Sequence, residues 1–100
     1  MSMKFDGFDW DEGNKTKIRQ HGLDPDLVER FFQGKLWIGP DIKHSQKESR
    51  FMAIGQIETR YVLIAFTIRE KETRRLVRPI SARPMHNREI GKYEEEIAKI

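Results

Sequence analysis

In RYVLIAFTIREKETRRLVRPISARP, residues 60–84, the first ten residues alternate between two rows. Val62, Ile64, Phe66 and Ile68 make one wholly apolar row. Tyr61, Leu63, Ala65, Thr67 and Arg69 make the other, which turns polar toward its end. A period of two is the mark of a strand with one face on a core, so Arg60–Arg69 is expected as a strand. Glu70–Arg74 is a run of charge and reads as a hairpin loop, with Leu76–Ala82 as the returning strand. Pro79 has no N–H to give a ladder, which places this second strand at an edge or beside a bulge.

Working outward, Arg50–Ile57 is a further strand, joined to Arg60 by the tight connection Glu58-Thr59. Lys35–Ile38 is a short strand candidate, with Gly39-Pro40 as a break. Asp41–Ser49 between them is polar. Upstream of residue 35 the period becomes helical. Asp24-Pro25 is an N-cap followed by proline at the first helical position. Leu27, Val28, Phe31 and Phe32 then form one apolar stripe, and Gly34 ends it. Asp11 reads as the N-cap of an earlier short helix with Lys15, Lys17 and Arg19 toward its C-terminal end. His21-Gly22 is its stop, where glycine takes the left-handed position. Phe5–Trp10 is either a short strand or an extended lead-in. Residues 86–99 read as a final helix with Ile90, Tyr93, Ile97 and Ile100 on one face, at a cost of about 1 kcal/mol for Gly91. The order is two N-terminal helices, an antiparallel sheet of about four strands and a C-terminal helix. That segregation argues an α+β fold, with residues 1–100 as a single domain.

The chain has no cysteine, which excludes disulfides and cysteine-rich zinc sites. Its longest apolar run, Val62–Phe66, is far too short to span a bilayer, and a cytoplasmic location without membrane contact is expected. The net charge of +3 is modest but unevenly placed. Residues 1–50 hold nine basic and nine acidic side chains, whereas residues 60–83 hold seven basic side chains against Glu70 and Glu72. A basic patch on strands is either a solvated face or a surface for a polyanion such as nucleic acid.

The chemistry-bearing residues are few. His21 sits at a helix end as a capping residue. His86, at the start of the last helix, is a base candidate or a surface polar residue. His44 lies in DIKHSQKESR, residues 41–50. In extended chain His44, Gln46, Glu48 and Arg50 point the same way, so the segment is either an acid, base and phosphate clamp or a solvated connection. Metal ligation looks poor, since there is no HExxH, no calcium loop and no Cys/His grid. No glycine-rich phosphate loop precedes a helix, and Ser81 has no triad around it. What remains is arginine, which holds phosphate by paired hydrogen bonds at any relevant pH. Arg50, Arg69, Arg78 and Arg83 lie at or near strand ends that a meander can bring to one face. RNA carries its own nucleophile, the 2′-hydroxyl, so arginines with one base suffice in principle to cleave it without a metal. The basic side chains Arg60, Arg74, Arg75 and Arg78, with Ser81 and His86, are candidates for holding RNA or its phosphates. A non-catalytic RNA-binding module, or a protein-interaction domain with an acidic partner, has the same composition.

Four segments in series resemble one family. FDWDEGNKTKIRQHGLDPDLVERFF (8–32) is similar to the opening of the BrnT toxins of bacterial type II toxin–antitoxin systems. HSQKESRFMAIGQ (44–56), VLIAFTIR (62–69) and VRPISARPMHNREIGKYEE (77–95) resemble its later His-Ser/Glu/Arg-Phe, Phe-Thr-x-Arg and Ile-Ser-Ala-Arg segments. The stretch from Trp10 to His21-Gly22 is one residue shorter than in many members, with Ile18 where asparagine is common. The resemblance implies a RelE-like fold and a metal-independent ribonuclease that needs no cofactor, inhibits translation and arrests growth. It also implies a BrnA-like ribbon-helix-helix antitoxin that neutralises the toxin, with DNA contacted only through their complex. The family motifs carry over onto His44, Glu48, Arg50, Arg69, Ser81 and Arg83. Within them, His44 or Glu48 is the candidate for proton transfer, and Arg50, Arg69 and Arg83 with Arg78 for the scissile phosphate.

Overall fold

The computed structural model describes residues 4–41 and 49–98, and the side chains of these up to residue 96. The elements in chain order are β1 (Gly7–Phe8), α1 (Glu12–Arg19), α2 (Pro25–Phe31), β2 (Trp37–Pro40), β3 (Arg50–Ile57), β4 (Arg60–Lys71), β5 (Arg74–Pro84) and α3 (Asn87–Ala98). The α+β class agrees with the sequence, but the helix placement does not: a short strand precedes α1, so α1 and α2 stand between strands of one sheet rather than ahead of it. The strand number differs as well: among the described residues the sheet has five strands in the order β1-β5-β4-β3-β2, and it is mixed rather than antiparallel.

The fifth strand is β1, which lies parallel to β5 with Gly7 opposite Leu76 and Phe8 opposite Val77. Of the two alternatives for Phe5–Trp10, a short strand or an extended lead-in, the structure shows a strand confined to Gly7–Phe8. The pairing comes from backbone bonds that bracket it, Asp6 N–H to Arg75 O and Asp9 N–H to Val77 O, both 2.8 Å. Two expected boundaries also move. Gly39-Pro40 belongs to β2 rather than breaking it, and pairs with Met52 and Phe51 of β3. Pro40 is tolerated there because β2 is an edge strand. Gly39 lies under the Trp37 indole: a Cβ at this position would come within 2.5 Å of the ring, so the exposed indole would have to shift. The charged loop expected at Glu70–Arg74 shrinks to a two-residue turn, because the β4–β5 ladder continues to Lys71↔Arg74. Both tight turns hold a glutamate in the left-handed region, Glu58 at φ 58° and Glu72 at φ 60°.

The helix starts follow the sequence. Asp11 accepts from the Asn14 N–H while the Asn14 side chain accepts from the Asp11 N–H, a reciprocal box that fixes the start of α1. Asp24 accepts from the Leu27 N–H and Pro25 opens α2. After α1 the left-handed residue is Gly22, at φ 76°.

One face of the sheet carries the core. Ile18 of α1 and Val28 and Phe31 of α2 pack on Ala53, Val62, Ile64, Phe66, Val77 and Ala82. The apolar row read from β4 therefore faces the helices as expected. On the reverse face α3 is held at one end. Tyr93 meets Tyr61 edge-on at 5.6 Å, and the Glu89 carboxylate takes both Arg83 guanidinium nitrogens at 2.8 and 2.7 Å.

The Glu89 contact is pH-sensitive. Arg83 first, then the His86 backbone N–H, pull the Glu89 carboxyl down to about 2. A depressed carboxylate contributes stability at and above its ordinary value of 4.5 and loses it as pH falls toward 2. Both side chains are about one-third exposed, so solvent screening holds the contribution to about 1 kcal/mol or less. Tyrosine fluorescence is expected to report weaker α3 docking across that acid window. Glu89→Gln should show the weakened docking already at neutral pH and lose the acid transition; an unchanged transition in this variant would rule out Glu89 as its source.

Candidate functional site

Register assembles the site. Arg50 of β3 is paired with Thr67 of β4, and Thr67 with Arg78 of β5. The three residues form one row across the sheet, on the face opposite the core by the alternation of strand side chains. Arg69, two residues further along β4, shares that face. Thr67 is buried, and its hydroxyl donates to the Ser49 carbonyl at 2.7 Å, which ties the chain entering β3 to the centre of the row.

A bulge decides which arginines share this face. Ser81 pairs with Ala65, but Pro79 pairs with Phe66, so Ile80 is the extra residue. Arg78 and Arg83, five positions apart, would otherwise point to opposite faces; the inserted residue puts both on the Thr67 face. Of the edge or bulge expected at Pro79, the structure shows the bulge. β1 covers only Leu76 and Val77 of the outer edge of β5, and beyond them the Asn14 side chain takes over. Its amide donates to the Pro79 carbonyl at 2.9 Å and to the Asp9 carbonyl at 3.0 Å. Asn14 is 5% exposed and so pins α1 to the bulge.

Between α1 and this face lies an open cleft of about 480 Å³. Its cations are Lys17, Arg50, Arg69 and Arg78; its carboxylates are Asp11 and Glu12. Arg78 is anchored, with Nη2 donating to Asp11 Oδ2 at 2.6 Å and Nη1 lying 3.5 Å from Asp9 Oδ2. The Asn14 backbone N–H, and then Arg78, hold the Asp11 carboxyl below the usual carboxylate range. Asp11 is therefore an anion beside the arginine that a phosphate would need. Asparagine caps a helix as well as aspartate does, so Asp11→Asn is expected to leave the melting temperature nearly unchanged. It should tighten binding of a nucleic-acid oligomer by about twofold to fivefold, the scale of one exposed ion pair. Fluorescence anisotropy checks this; weaker binding would show that Asp11 aims Arg78 rather than competing for it.

The remaining candidates are placed as follows. Ser81 is exposed on the same face, one row from Arg78. Arg83 does not line the cleft: it pairs with Leu63, four residues along β4 from Thr67, roughly 13 Å away, and is engaged by Glu89. His86 precedes α3, with its backbone N–H bonded to Glu89 Oε1 at 3.0 Å. Arg60 sits at the β3–β4 turn, the opposite end of β4 from Arg69. Arg74 and Arg75 stand at the β4–β5 turn, Arg74 donating to the Asp6 carbonyl at 3.3 Å and Arg75 lying 3.8 Å from Glu70. His44 and Glu48 lie outside the described residues. Lys17 and Asn14 line the cleft and were not singled out from sequence. The one available signal was an asparagine three residues after an N-cap aspartate. Among the described residues no group of three or more His, Cys, Asp or Glu side chains is arranged to hold a metal ion, and no helix is long and apolar enough to cross a membrane.

Residues 10–89 match the family described as ribonuclease toxin, BrnT, of type II toxin–antitoxin systems. The chain belongs to the BrnT family. The match begins at Trp10, whose indole N–H is bonded to Glu29 at 2.8 Å, and ends at Glu89, the partner of Arg83. Every cleft residue named above therefore lies inside the BrnT segment, whereas β1 lies before it. No curated protein matches the chain. A BrnT chain is a ribonuclease toxin with an antitoxin partner, and the cleft of this one bears four cations.

Proposed function

We propose that this BrnT protein is a metal-independent endoribonuclease whose phosphate site is the cleft between α1 and the sheet. The observation that carries the reading is the Arg50–Thr67–Arg78 row with Arg69 and Lys17 beside it. Arg50 and Arg69 hold the scissile phosphate and stabilise the charge that builds on its oxygens in the phosphorane. Arg78 supports them from the Asp11 side. His44 or Glu48 takes the proton of the 2′-hydroxyl; the sequence joins their segment directly to Ser49 and Arg50 at the cleft. The 2′-oxygen bonds to phosphorus, the bond to the 5′-oxygen breaks, and the leaving oxygen takes up a proton. The products are a 2′,3′-cyclic phosphate and a 5′-hydroxyl. No step calls for a metal, because the nucleophile belongs to the substrate. Arg83 and His86 act through the position of α3, and Ser81, Arg60, Arg74 and Arg75 contribute to holding RNA.

In the cell the 100-residue chain works as one RelE-like domain in the cytoplasm. It cuts RNA, stops translation and arrests growth until a BrnA-like ribbon-helix-helix antitoxin neutralises it. DNA is reached only through that complex. The test is RNA incubated with the purified, folded protein in excess EDTA, with product ends identified by mass spectrometry. Cyclic-phosphate and 5′-hydroxyl ends are expected. Intact RNA at physiological salt would sink the catalytic reading and leave an RNA-binding or protein-interaction module. Cleavage that EDTA abolishes would sink metal independence.

A further inference from the structure

The cations do not stop at the cleft. On the face that carries Thr67 and Arg78, the next rows of the β4–β5 ladder are Arg69↔Leu76 and Lys71↔Arg74. The two ends of this run are joined by one side chain: the Asp9 carboxylate lies 3.5 Å from Arg78 Nη1 through one oxygen and 3.4 Å from Lys71 Nζ through the other. Lys71 is 61% exposed, and Arg74 is exposed. Successive rows on one face are roughly 6.6 Å apart, close to the distance between successive phosphates of an extended nucleic-acid chain.

We propose that Arg69, Lys71 and Arg74 continue the cleft as a track for the phosphates of single-stranded RNA, running from the Arg50–Arg78 row to the β4–β5 turn. The inference rests on the reading of the cleft as the phosphate site and adds the form of the substrate. A single strand fits for two reasons. The cations lie in file on a two-stranded ribbon over about 13 Å, whereas a double-stranded RNA module reads shape across two minor grooves, about 16 base pairs. In addition, Asp9, Asp11 and Glu12 line one flank of the run, and their negative charge opposes a second phosphate backbone beside the first. The flank that holds Arg78 and Lys71 thus also narrows what can lie on the run.

The test uses 2′-O-methyl oligouridylates of two, four and six nucleotides, which bind but offer no free 2′-hydroxyl. For the wild-type protein, affinity by fluorescence anisotropy is expected to rise at least about tenfold from two to four nucleotides as the track fills, with a salt dependence set by the phosphates engaged. In Lys71→Ala/Arg74→Ala most of that gain should vanish, and the salt slope for the hexamer should fall by about 1.4, at roughly 0.7 per phosphate contact. Lys35→Ala/Lys92→Ala, which removes the same charge from exposed positions elsewhere, should keep the gain. Equal affinity of the wild type for two and six nucleotides overturns the track. So does a Lys71→Ala/Arg74→Ala variant that keeps the full gain, or a stable 2′-O-methyl RNA hairpin stem that binds as tightly as the hexamer. Dinucleotide binding that is insensitive to Arg69→Ala overturns the cleft reading itself. Sensitivity there, with the length gain intact in the double variant, overturns the track alone.

Discussion

Replacing Arg69 with alanine is expected to lower the rate of RNA cleavage by about 10²–10³-fold, the cost of removing one preorganised donor to a developing oxyanion, and to abolish growth arrest. The melting temperature should stay within a few degrees, because Arg69 is exposed and surface substitutions cost roughly 0.5 kcal/mol or less. Arg69 separates chemistry from folding better than Arg78 does. Arg78 ties β5 to the start of α1 through Asp11, so its loss would disturb a helix cap as well as the cleft. Arg69→Lys keeps the charge but loses the planar fork and should recover part of the rate. Single-turnover kinetics with RNA in excess over its dissociation constant would place the loss in the chemical step. A loss confined to binding, growing gradually as each arginine is removed, would instead favour a module that holds RNA without cutting it.

Phe66→Ala is expected to destabilise the protein by about 3–5 kcal/mol, a large share of the roughly 5–15 kcal/mol available to a domain of this size. Phe66 is fully buried at the centre of β4. Its ring stacks on Phe51 at 5.5 Å and meets Phe32 and Phe5 edge-on at 5.2 and 6.3 Å. Removing it leaves a cavity among rings belonging to three other segments, the lead-in, the end of α2 and β3, and no one of them can collapse into the gap without leaving the others. Phe66→Leu should cost much less because most of the volume is kept. Urea unfolding with an unchanged m-value would attribute the loss to stability rather than to compactness. A cost under about 1 kcal/mol for the alanine variant would mean that the core relaxes around the site.

Much of the fold was legible because it is written in short-range patterns. The alternation over residues 60–69, the caps at Asp11 and Asp24-Pro25 and the stripe Leu27–Phe32 each depend on neighbours within about four positions, and each appears where it was read. The errors fall where partners are distant. For Phe5–Trp10 the local pattern leaves strand and lead-in both open, and β5 decides for a strand at Gly7–Phe8 by supplying its hydrogen bonds. Pro40 stays in a strand only because β2 is at the edge. The turn at Glu72-Thr73 is short because the ladder outruns the apolar pattern, its last rows pairing charged residues that have no core to mark them.

The candidate site divides in the same way. Sequence by itself determined the strand that carries Thr67 and Arg69, the helix start at Asp11 and the excess of arginine over residues 60–83, since residue type and local spacing carry that information. Which arginines stand together is settled by the folded chain. Cross-strand register sets Arg50 and Arg78 on either side of Thr67, and one extra residue at Ile80 chooses the face. Asn14 reaches 65 positions along the chain to hold the Pro79 carbonyl, while Glu89 engages Arg83 away from the cleft. Strand pairing and bulges depend on which segments meet in space, and a linear pattern does not record that meeting.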